Sequence, residues 1–119
     1  MRSLAQIFDA IAPRFANTGW FTTTDYADKN RSIVDKFAHA MAEANAYCNA
    51  HHADTVQLVA DSAKIDAKVV ARMARITFGD YLRPADIQPL VNVAAKYGAI
   101  AKTFDARQLI SPYALKPSA

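Results

Sequence analysis

Residues 84–110 read PADIQPLVNVAAKYGAIAKTFDARQLI, and the fold turns on this stretch because its local signals agree with one another. Ile87, Leu90, Val91, Ala94 and Tyr97 recur at steps of three and four, which gathers them on one helical face. Pro84 suits the first helical position, where its fixed φ fits and its missing N–H goes unneeded. Gly98 stands where a left-handed residue closes a helix, with Ile100 placed to fold back on the last turn. A second helix start follows: Asp105 as cap, Gln108 at the capping-box position, Phe104 and Leu109 spaced as a staple. The stretch predicts a helix, a closed cap, a linker and a restart. It carries no chemistry of its own.

Working toward the N-terminus, residues 79–83 read as a turn. Before it, Asp66 caps a helix whose Val69, Val70, Met73 and Ile76 face inward. Asp54 opens another, with Gln57 at the capping-box position and Val56, Leu58 and Val59 on its apolar side. Asn30 or Ser32 caps a long helix reaching about Asn49, striped by Ile33, Val34, Phe37, Met41, Ala44, Tyr47 and Cys48. The aromatic and β-branched run from Trp20 to Thr24 predicts a strand, and Arg2–Ile7 predicts a shorter one. Phe8–Thr18 is a connection, and the tail from Pro112 to Ala119 is loose. Two strands beside four or more helices is an odd inventory for a complete domain, because an isolated two-stranded sheet is marginal.

A chain of 119 residues, 52% apolar and 21% charged with three glycines, is one alanine-rich globular domain or a piece of one. The net charge of +3 is mild and its basic residues are dispersed, so nucleic acid is not an expected partner. Lys64, Lys68, Arg72 and Arg75 do form a basic stripe, but a solvated helix face looks the same. A single cysteine, Cys48, excludes an internal disulfide and a multi-cysteine metal site. No apolar run is long enough to span a membrane. Gln6 and Asp9 interrupt the first dozen residues, so no export signal is expected there.

His39, Glu43, Cys48, His51 and His52 crowd one helix, yet ligands strung along a rigid rod do not converge on one metal ion. Cys48 falls on the core side of that helix and reads as a buried, inert thiol. No phosphate loop, acid pair or nucleophile motif is present, so neither enzyme activity nor a cofactor is expected. Trp20 is either a core anchor or an aromatic wall for a ligand.

Taken in order, DAIAPRF, GWFTTTDYADKN, IVDKFAHAMAEANAYCNAH, KIDAKVVARM and IQPLVNVAAKYGAIAKTFDARQLI resemble the C-terminal part of the substrate-binding proteins of ABC importers. The similar subgroup handles nitrate, sulfonates, taurine and thiamine precursors. The Gln-Pro-Leu helix, the Ala-Lys-Tyr-Gly stop and the Phe-Asp-Ala restart carry the resemblance best. Arg31 replaces a common proline, and Asn92 a common aspartate.

The resemblance implies a mainly α chain with one or two short N-terminal strands, a fragment of a two-lobed α/β periplasmic-binding-protein (type II) fold. Residues 1–19 would end the second lobe and make the crossing, 20–111 would complete the first lobe, and 112–119 would be the loose tail. The implied function is capture of a small anionic or organic ligand for an ABC permease, without covalent chemistry. The parent would be periplasmic, whereas this chain, made as written, would stay in the cytoplasm. By position, Asp9 and Trp20 lie nearest the expected cleft and are the candidate ligand-binding residues. Open strand edges would invite self-association. The alternative is a small helical interaction module that pairs through its apolar stripe or a strand edge.

Overall fold

Residues 7–116 of a computed structural model are described here, and every regular element among them is helical. A 3-10 turn at Ile7–Ala10 precedes α1 (Thr24–Lys29), α2 (Arg31–Ala50), α3 (Val56–Ala63), α4 (Ala67–Val70) and α5 (Pro84–Lys96). A second 3-10 turn, Ala106–Leu109, follows them.

The expected strand-bearing fold is therefore corrected: the described residues contain no strand and no sheet, and the two-lobed α/β assignment is not supported. Of the Arg2–Ile7 strand, only Ile7 is described, and it begins the first 3-10 turn; the rest lies outside the described residues. Trp20–Thr24 forms no strand either. A β-prone run needs a neighbouring backbone to pair with, and among the described residues none offers a ladder. Local hydrogen bonding wins instead. The Thr23 hydroxyl accepts from the Tyr26 N–H at 3.2 Å, and Asp25 places its charge in the first turn of α1. Among the described residues there is no strand edge through which the chain could self-associate.

Two compact units divide the chain, and the division falls inside α2. One unit joins Met1–Asp35 to Tyr81–Ala119. Its centre is α5 against the second 3-10 turn, with Val91 and Ala106 buried. Pro84 occupies the start of α5 as anticipated. At the other end Gly98 takes φ +75, the Gly98 N–H reaches the Ala95 carbonyl at 3.2 Å, and the Ala99 N–H reaches that of Ala94 at 2.8 Å. That pair of bonds is a Schellman closure. The Asp105 carboxylate accepts from the Arg107 N–H at 2.9 Å and caps the second 3-10 turn.

Gln88 supplies the main link between these elements. Its Nε2 donates to the Phe104 carbonyl and its Oε1 accepts from the Ala106 N–H, both at 2.9 Å. Asn92 Oδ1 accepts from Gln88 and from the Thr103 hydroxyl, a purely acceptor role that aspartate would also fill. The earlier connection is tied to the same helix. Arg14 Nε donates to both Asp86 carboxylate oxygens at 3.0 and 3.1 Å, and the Ala16 N–H meets the Asp86 carbonyl at 2.7 Å.

The other unit, Lys36–Asp80, holds most of α2 together with α3 and α4, and the latter two pack on each other. Val70 is 1% exposed and Ala60 and Thr55 are also buried. Asn49 grips Phe78 through two bonds of 2.9 Å, accepting its N–H and donating to its carbonyl. One turn earlier, Asn45 donates to the Gly79 carbonyl at 2.7 Å. These two asparagines stand four apart, so they present adjacent amides from one helix face to the passing backbone.

Several expected caps moved. Thr55, not Asp54, precedes α3, and its hydroxyl turns back to the His51 and His52 carbonyls at 3.1 Å instead of capping forward. Asp66 does cap α4, accepting from the Lys68 N–H at 2.7 Å. That helix stops at Val70, however, so Met73 and Ile76 are exposed instead of facing a core. Asn30 serves the end of α1: its side-chain amide donates to the Tyr26 carbonyl, and its own carbonyl accepts from Val34 at the start of α2.

Candidate functional site

Asp9 belongs to the 3-10 turn at Ile7–Ala10, and Trp20 ends the irregular segment ahead of α1. Trp20 is 72% exposed and its neighbour Phe21 is 98% exposed, so Trp20 is not a core anchor. Trp20 is not among the residues that line the groove of about 410 Å³ found in the first unit.

That groove forms where the turn before α5 meets the chain following the second 3-10 turn. Tyr81, Arg83, Pro84, Arg107, Ile110 and Lys116 are among its walls. Arg83 lies over the Tyr81 ring, 4.1 Å from guanidinium carbon to centroid, and stands 3.7 Å from Asp86. Arg107 pairs with Asp105 at 3.2 Å and stays mostly in solvent. Among the described residues Arg83, Arg107 and Lys116 give the groove its charged groups, while Ile110, Pro84 and Leu115 supply apolar wall. The sequence hid this cluster because its cations lie 33 residues apart, from Arg83 to Lys116, and form no run. Only the reversal of the chain after Gly98 brings them to one groove.

Beyond the groove, the tail is fastened to the first helices. The Tyr113 hydroxyl donates to Asp28 at 2.7 Å, and the Arg31 guanidinium sits 5.0 Å from the Tyr113 ring centre. Donation to that carboxylate, with some burial, holds the phenol above its ordinary pKa, and Arg31 opposes the shift. The tail expected to be loose is thus anchored at Tyr113.

The histidine-rich end of α2 has structural contacts. Tyr47 and His51 stack with centroids 4.1 Å apart, and His51 Nδ1 lies 2.9 Å from the Tyr47 carbonyl. Cys48 is half-buried. Among the described residues, no three metal-ligating side chains converge. The basic stripe is also broken up. Lys64 ends α3, Lys68 alone sits on α4, and Arg75 turns inward to Thr55 and the His52 carbonyl. No helix among the described residues is long and apolar enough to cross a membrane.

A further exposed apolar surface runs along α2. At 100° per residue, Ile33, Phe37, Ala40, Ala44 and Tyr47 fall within one narrow arc, and all five are exposed. Val34, Ala38, Met41 and Asn45 occupy the half-buried side instead. The helix therefore carries apolar residues on two faces and buries none of them fully. No protein family, curated protein or solved structure matches the chain.

Proposed function

We propose that this chain is the C-terminal portion of a solute-binding protein that captures a small anionic or organic ligand, of the nitrate, sulfonate or taurine kind, for an ABC importer. The order of sequence motifs supports the importer assignment. The observation that carries the reading of the chain as a portion is the outer face of α2. A twenty-residue helix with Ile33 and Tyr47 about half exposed, and no buried residue, has a surface made to be covered. In this reading the rest of the parent covers it, and the ligand site lies mostly on that missing part.

Genomic sequence upstream of the Met1 codon tests the reading directly. The expected result is an open frame that continues into a ligand-binding region and an export signal. An in-frame stop just upstream of a ribosome-binding site overturns it. The chain alone is expected to give no calorimetric response to nitrate or taurine.

The same α2 face also favours a second reading, a helical interaction module that binds a partner through this stripe. Size-exclusion with light scattering separates the two. A discrete oligomer dispersed by Phe37→Glu supports the module, and a monomer or an ill-defined aggregate supports the portion.

A further inference from the structure

The segment ahead of α1 supports a reading that goes beyond solute capture and does not depend on it. We propose that the Phe21–Thr22 peptide bond is a processing site, cut by an endoproteinase whose specificity pocket takes a large apolar side chain. Such a pocket must receive the whole side chain, so the chosen residue has to stand clear of its own protein. Phe21, at 98%, is the most exposed large apolar side chain among the described residues. The backbone around it is open as well. No regular element lies between the first 3-10 turn and α1. Residues 17–26 are all exposed, five on each side of the bond. A Cβ placed on Gly19 would meet no atom within 4 Å, which leaves clearance for the wall of an enzyme cleft. Thr23, the second residue past the bond, already has extended backbone, with φ −74 and ψ 151. Beyond it only the first turn of α1 has to loosen, and helix ends open locally at small cost.

Other exposed apolar side chains lack one of these two properties. Tyr47 and Leu58 lie inside α2 and α3, where the helix must unwind before a cleft can hold the chain. Tyr97 ends α5 beside the Schellman closure. Ile76 lies in irregular chain but is only 54% exposed. Trp20 shares the segment and is the less exposed of the adjacent pair. The step itself is a hydrolysis. Water adds across the amide, its oxygen joining the Phe21 carbonyl carbon and both its protons passing to the Thr22 nitrogen, which leaves a carboxylate and an ammonium. Arg14 and Ala16, both bonded to Asp86, then belong to the shorter product, so its release takes those bonds away from α5.

Limited digestion of the whole chain with chymotrypsin, its products weighed by mass spectrometry, is the test. The first products expected are residues 1–21 and 22–119. Phe21→Ser should slow that first cut by about tenfold or more, because serine leaves the apolar pocket unfilled. Gln88→Ala separates cutting of the folded chain from cutting after unfolding. It weakens the unit to which Phe21 belongs, so a cut that required global unfolding would accelerate more than about tenfold. A cut in the native segment should change by less than about threefold. The proposal fails if the first cut falls at any other bond, Trp20–Phe21 included. It fails equally if Phe21→Ser slows the cut by less than about tenfold, or if Gln88→Ala speeds it by about threefold or more.

Discussion

The two longest helices among the described residues, α5 and α2, have opposite fates. With thirteen residues, α5 is closed at its C-terminus by the Schellman bonds, linked by Gln88 to the second 3-10 turn, and buries Val91. With twenty residues and more apolar side chains, α2 buries nothing completely. Length and apolar content therefore do not decide how well a helix is seated. What differs is the supply of partners. The second 3-10 turn comes back to α5 within the next dozen residues, whereas no residue of α2 is fully buried.

Breaking the better-seated helix should have the largest effect. Gln88→Ala strands the Ala106 N–H, on a residue with no exposed surface, and the Phe104 carbonyl together. A loss of about 2–3 kcal/mol is expected, read from urea unfolding, with early amide exchange at Ala106. Gly98→Ala comes next. A Cβ at Gly98 meets no atom within 4 Å, so its cost is backbone strain alone, about 1 kcal/mol by the same assay.

At the other extreme, Phe21→Ser should change stability by less than about 0.5 kcal/mol, since its ring is already in water. A larger loss would show that Phe21 is covered in solution. The smallest effect concerns the tail. With its pKa raised by Asp28, the Tyr113 phenol keeps its proton past the ordinary tyrosine range, and the bond's contribution is lost as pH rises through that elevated value. Ultraviolet titration should show one tyrosine ionising late, and Asp28→Asn should bring it back toward the others.

The same contrast explains what could be read from the residues alone. The Pro84 start, the Gly98 stop and the Asp66 and Asp105 caps were legible because each acts within a few positions of itself. The Trp20–Thr24 strand was misread because β-propensity describes fitness for a sheet, and a sheet must be supplied from elsewhere. The asparagine grip on residues 78 and 79 and the two-sided bond of Gln88 were invisible for a related reason. Their partners are backbone atoms 16 to 34 positions away, which any sequence possesses and none advertises. For the groove, Arg83, Arg107 and Lys116 could be seen individually but not as neighbours. Asp9 and Trp20 follow only from position in the resemblance, and Trp20 is not among the residues that line the groove.

The first unit is assembled from the two ends of the chain, with Lys36–Asp80 between them. On a ribosome, that order means the contacts of Asp86 with Arg14 and of Tyr113 with Asp28 can close only after Lys36–Asp80 has been synthesised. A ribosome that stalls after Asp80 therefore holds Met1–Asp35 without the Tyr81–Ala119 segment that completes its unit.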